Sequence, residues 1–124
     1  MPHKVEFNEA IQVIEVVFSA PITKIDLDEA TRTAIEVGKA RETHRYIIDN
    51  QDPEPYVSLA DVYALPEHQY IVQQLSRDSR IAIMLPQSIK AREIVIFYET
   101  VCLNRGWQAR IFTTREEAMD WLFA

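Results

Sequence analysis

Residues 80–123 read Arg80-Ile-Ala-Ile-Met-Leu-Pro-Gln-Ser-Ile-Lys-Ala-Arg-Glu-Ile-Val-Ile-Phe-Tyr-Glu-Thr-Val-Cys-Leu-Asn-Arg-Gly-Trp-Gln-Ala-Arg-Ile-Phe-Thr-Thr-Arg-Glu-Glu-Ala-Met-Asp-Trp-Leu-Phe123. Arg80 to Pro86 is an apolar strand closed by a proline. Ser88 to Arg105 follows as a long helix, stopped by Gly106. Gln108 to Phe112 is a second short strand, and Thr114 to Phe123 a final amphipathic helix. A β-α-β-α run implies parallel strands joined by right-handed crossovers. Its one local conflict is Ile94-Val-Ile-Phe-Tyr98, the most strand-like pentapeptide in the chain. The spacing of Ile94, Phe97, Tyr98 and Val101 follows i, i+3, i+4, i+7, and Gly106 stands where a left-handed C′ residue is needed. The segment is therefore assigned to helix.

Outward from this stretch the same alternation continues. Lys4 to Phe7 and Ile11 to Phe18 are strands rich in β-branched residues, joined by Asn8-Glu9-Ala10. So short a link permits only an antiparallel hairpin. A helix runs from Thr23 to about Thr43, with Ile25, Ala30, Ala34, Val37 and Arg41 marking its period. Gly38 lies inside it at a cost of about 1 kcal/mol against alanine, which close approach to the sheet would explain. Arg45 to Asp49 is the next strand. Ser58 opens a helix that Pro66 breaks or restarts. Three helices begin with Ser or Thr and carry an acid three residues later: Thr23 and Asp26, Ser58 and Asp61, Thr114 and Glu117. That is capping-box spacing, and it agrees with the strand-helix alternation. The reading is an α/β domain over residues 1–124. It has a five-stranded, mostly parallel sheet, an antiparallel N-terminal edge strand and four to five helices.

Composition narrows the function classes. The chain has 124 residues, enough for one domain with a real core. Its net charge of −6 is spread without blocks, which disfavours nucleic acid and anionic membranes as partners. Cys102 is the single cysteine, so no internal disulfide is expected. Met1 to Glu6 shows no signal-peptide apolar region, and no run reaches the ~18 apolar residues of a membrane span. The expectation is a cytoplasmic protein.

Arg45-Tyr-Ile-Ile-Asp49, Asp61-Val-Tyr-Ala-Leu-Pro66, Arg80-Ile-Ala-Ile83, Phe97-Tyr-Glu-Thr-Val101 with Asn104-Arg-Gly106, and Arg110-Ile-Phe-Thr113 with Glu117-Ala-Met-Asp-Trp-Leu122 form a further pattern. It resembles the STAS-like superfamily of small bacterial proteins, which holds anti-sigma-factor antagonists and also lipid-binding domains. The resemblance covers nearly the whole chain and is most specific in its C-terminal signature. It implies a (βα) superhelix and a non-enzymatic regulatory or protein-interaction module with a protein partner, a homodimer being one form it allows. A binding protein or sensor for a small apolar or lipid-like ligand is the alternative.

Candidate sites follow from both readings. The resemblance places a phosphorylatable serine at Ser58. The usual Asp-Ser-Ser-Gly-Leu context is absent, however, and Asp52-Pro-Glu-Pro55 precedes the serine instead. An N-cap role accounts for Ser58 without phosphate. The helix at Ser88 carries Lys90 and Arg92 in its first turn, where the dipole favours acids. With Asp49, Ser58 and Ser88 these cations form a candidate rim for an anion or an acidic partner segment, at the carboxyl ends of the strands. Tyr56, Tyr63, Tyr70, Phe97 and Tyr98 are candidates to line an apolar cavity, with ordinary core packing as the competing reading. Ile81 to Leu85 is apolar at every position, so both sheet faces require cover. His3, His44 and His68 have no metal-ligand spacing, and no metal or cofactor is expected. No catalytic motif stands out, and two glycines are too few for a nucleotide cradle.

Overall fold

The computed structural model describes residues 3–51 and 57–124. The strands are β1 (His3–Asn8), β2 (Val13–Phe18), β3 (Arg45–Asn50), β4 (Arg80–Met84) and β5 (Gln108–Phe112). They lie side by side in chain order. β1 is antiparallel to β2, and every later pair is parallel. The helices are α1 (Lys24–Arg41), α2 (Leu59–Ala64), α3 (Tyr70–Val72), α4 (Ile89–Asn104) and α5 (Arg115–Leu122). A π turn at Leu65–Gln69 joins α2 to α3, so the two form one interrupted helical segment.

Each strand-helix-strand unit advances by one strand, which keeps α1, α2–α3 and α4 on one face. Ile14, Val16, Phe18, Tyr46, Ile81, Ile83 and Ala109 point from the sheet into that larger core. α5 packs on the opposite face, where Ala118 and Leu122 meet Val13, Ile47, Ala82 and Phe112. The all-apolar reading of β4 is thereby explained: Ile81 and Ile83 serve one core and Ala82 the other. Ile94 to Tyr98 lies wholly within α4. The hydroxyl of Ser88 caps that helix, accepting from the Ala91 amide at 3.1 Å, and Gly106 stops it at φ +81. Capping decides the local conflict in favour of the helix, as the spacing predicts.

Three local expectations need correction. β2 begins at Val13, not Ile11, because Ile11 and Gln12 complete the hairpin turn. Gln12 adopts φ +57 there, and its amide bonds the Asn8 carbonyl at 2.8 Å. α1 ends at Arg41, where Glu42 turns left-handed at φ 54. Its inward face is Leu27, Ala30, Ala34, Ile35 and Gly38, while Ile25 is exposed. The Thr23–Asp26 capping box sets the rotation of the first turn and carries Ile25 outward. Pro66 interrupts the α-helix as expected, and the path continues through a π turn. Lacking an N–H, it cannot bond the Val62 carbonyl, so the turn widens until the Tyr70 amide reaches Leu65 O. Trp107 secures this widened turn by donating its indole N–H to Pro66 O at 3.1 Å.

Both outer layers are tied by charged side chains. Glu15 on β2 accepts from Asn8 at 3.0 Å and from Arg115 at the start of α5. Partial burial works against its ionisation, but those two bonds outweigh it and hold its carboxyl below the usual range. At the other end of α5, Arg45 Nε donates to Leu122 O at 3.0 Å and Arg80 donates to Trp121 O. Two guanidinium groups thus close the C-terminus of α5, where the helix dipole favours positive charge. The free edge of β5 is blunted by Glu99 of α4, whose carboxylate accepts from the Ile111 amide at 2.8 Å.

Candidate functional site

Parallel strands deliver Ser58 and Ser88 to the same end of the sheet, since each opens the helix after one of the neighbouring strands β3 and β4. Ser58 closes a reciprocal capping box. Its hydroxyl accepts from the Asp61 amide at 3.1 Å, and the Asp61 carboxylate accepts from the Ser58 amide at 2.8 Å. The hydroxyl is exposed but engaged, and the carboxylate beside it opposes a second anion. Arg92 Nε donates to Pro86 O at 2.8 Å, which folds its side chain back onto the loop before α4. Lys90 is exposed. Asp49 accepts from Gln51 at 3.1 Å. It points to the α5 face of the sheet, because Ile48, next to it, faces the larger core. The candidate rim thus shares one end of the molecule, but its members do not converge on a common point.

A cavity of about 100 Å3 lies between the sheet and the three helices of the larger core. Its wall includes Val16, Ile83, Val62, Leu65, Tyr70 and Tyr98. Of the aromatic candidates, Tyr70 and Tyr98 line it. Tyr63 does not: it lies on the surface, where its hydroxyl accepts from Arg105 at 2.8 Å. The π turn separates its rotation from that of Tyr70. Phe97 packs against the core from the side of α4 without reaching the cavity. Tyr56 lies outside the described residues. Three polar side chains of the wall are engaged. Thr31 donates to Leu27 O at 2.8 Å, and the Tyr70 and Tyr98 hydroxyls bond each other. Burial raises both phenols well above the usual tyrosine range and pushes the adjacent Cys102 thiol up to about 12. This is a neutral, apolar space.

The outer face of α4 was not singled out in the sequence. Ala91, Val95, Tyr98, Val101 and Cys102 face the core. Ile89, Ile96 and Leu103 face away from it, exposed at 77, 51 and 56%. They recur every seven residues, which places them in one stripe along the helix. The signal was present in the spacing, but the inward stripe of the same helix overlies it. Among the described residues, no helix is long and apolar enough to cross a membrane, and no group of three or more His, Cys, Asp or Glu side chains gathers as a metal site requires. Compared with protein-family models, curated proteins and solved structures, the chain returns no match.

Proposed function

We propose that the protein is a non-enzymatic, cytoplasmic interaction module of STAS-like type that works by docking a protein partner. The observation that carries this reading is the exposed apolar stripe Ile89, Ile96 and Leu103 on α4. Single exposed apolar residues are ordinary, whereas three aligned on one rigid helix make a docking surface. The test is affinity purification of tagged protein from its own host, comparing wild type with Ile96→Glu. A stoichiometric protein partner, or the chain's own untagged copy, should accompany wild type and be lost from the variant. Equal recovery with both overturns the reading.

A second reading is favoured by the cavity: binding of a small apolar ligand. At about 100 Å3 it falls below the roughly 300–1,000 Å3 of ordinary ligand sites and suits only a compact, uncharged molecule. Left dry, such a void costs on the order of 2 kcal/mol. Val95→Leu adds one methylene to the wall and should raise stability by about 1 kcal/mol. If the cavity serves a ligand, benzene should raise the melting temperature of wild type but not of Val95→Leu. No benzene effect on either protein removes this reading.

A further inference from the structure

We infer that the outer face of α4 docks on the same face of a second copy of this chain, with the two helices antiparallel about a twofold axis at Ile96. The inference rests on the interaction reading above and names its partner. Three observations carry it.

The first is the spacing. Ile89, Ile96 and Leu103 are separated by seven residues on each side of Ile96. A twofold through Ile96 therefore sets Ile96 against Ile96 of the second copy, and Ile89 against Leu103 at both ends. Every apolar residue of the stripe finds an apolar opposite. A strict seven-residue repeat also suits two helices crossing at about 20° and 8–10 Å apart.

The second is charge. Arg92 and Glu99 are seven residues apart, so they lie within about 20° of each other on one flank of the stripe. That flank faces β5, because Glu99 reaches the Ile111 amide from it. Antiparallel pairing reverses position along the axis and keeps the flank. Arg92 then comes beside Glu99 of the second copy, and the pair occurs twice. Arg92 uses Nε on Pro86 O, leaving both terminal nitrogens of its guanidinium to reach across. On the other flank Glu93 comes opposite Thr100, not opposite another acid. In a chain of net charge −6, this register avoids like-charge opposition. A parallel pairing would exchange the flanks and set Arg92 beside Glu93, so rescue by Glu99→Arg distinguishes the antiparallel form.

The third concerns the route. Association through the free edge of β5 is obstructed where Glu99 occupies the Ile111 amide. Helix-on-helix contact of this length is small, and a dissociation constant on the order of 10 μM is expected.

The test is sedimentation analysis of the full chain from about 1 to 300 μM. Wild type should pass from monomer to dimer across this range. Ile96→Glu sets two carboxylates against each other at the axis and should weaken association about a hundredfold. Arg92→Glu should weaken it about tenfold, and Arg92→Glu combined with Glu99→Arg should recover most of the loss. Thermal unfolding of each variant separates dimer loss from fold loss, which matters for Glu99 because it also caps Ile111. A wild type that stays monomeric throughout overturns the inference, as does a dimer unaffected by Ile96→Glu. If the chain is monomeric while Ile96→Glu still abolishes capture of a different protein, self-association is overturned and the interaction module stands. If neither association depends on Ile96, both fail.

Discussion

Gly38 stands in the middle of α1, where alanine would be the better helix former by about 1 kcal/mol. A Cβ built at Gly38 would lie 2.1 Å from the Tyr46 hydroxyl oxygen and 3.3 Å from Ile14 Cδ1. The absence of a side chain is what lets α1 settle on β2 and β3. Gly38→Ala should therefore destabilise by about 1–3 kcal/mol despite its higher helix propensity, and adding Tyr46→Phe should recover part of that loss. Denaturant unfolding of the two variants checks both claims. Burial sets a second prediction at this scale. It pushes the Cys102 thiol from 9.0 to about 12 and the Tyr46 phenol from 10.0 to about 12. Both values are raised, so the folded state holds these protons after the unfolded chain has released them. Their stabilisation is complete below pH 9 and is lost as pH rises from 9 towards 12. Unfolding free energy should stay level to about pH 9 and fall beyond it. Cys102→Ala should flatten the slope between pH 9 and 10.5, and an unchanged slope would show that the thiol does not contribute. The Cys102 thiol should also resist iodoacetamide at pH 8 in the folded protein.

At the scale of elements, the helix starts were the most legible feature. Thr23, Ser58 and Thr114 each accept from the amide three residues on. Such bonds are local, so the residues that make them are also neighbours in sequence. What could not be read was what tertiary contact decides. The π turn at Leu65–Gln69 depends on Trp107, 41 residues beyond the Pro66 carbonyl it holds. The phase of α1 was misjudged because Ile25 and Leu27 are equally apolar, and only the capping geometry chooses between them. Tyr70 and Tyr98 both line the cavity. Tyr63 lies apart from them because the π turn changes the rotation between α2 and α3. The range of α5 was legible, but its packing also rests on arginines distant in sequence. Arg45 and Arg80 donate to its last carbonyls. Arg45 also stacks over Phe123 at 4.1 Å and Arg80 over Trp121 at 5.6 Å. Arg45→Met keeps the apolar stem but removes the donor and the charge. It should cost about 1–2 kcal/mol and quicken amide exchange in α5 ahead of the other helices. Uniform exchange across all helices would show that the guanidinium does not hold α5 in particular.

For the whole molecule, the asymmetry of the layers matters more than any single contact. Sequential strand order sends α1, α2–α3 and α4 to one face, and among the described residues only α5 covers the other. That face carries Val13, Ile47 and Ala82, each fully buried. Fully burying a side chain the size of leucine contributes about 1.5–3 kcal/mol, and α5 brings Leu122 and Ala118 with Met119 and Trp121 packed beside them. Its burial is worth on the order of 5 kcal/mol, against a total stability of about 5–15 kcal/mol for a domain of this kind. Ending the chain at Thr113 removes that contribution. It also strips Glu15 of Arg115 and leaves Arg45 and Arg80 beside an uncovered apolar strand row. The shortened chain should lose its cooperative thermal transition and bind a hydrophobic dye. It should retain helical circular dichroism, because the other helices keep their own caps and the larger core. A shortened chain with an unchanged transition would mean that the second face needs no cover, and the physical reading of β4 as a strand buried on both sides would be wrong.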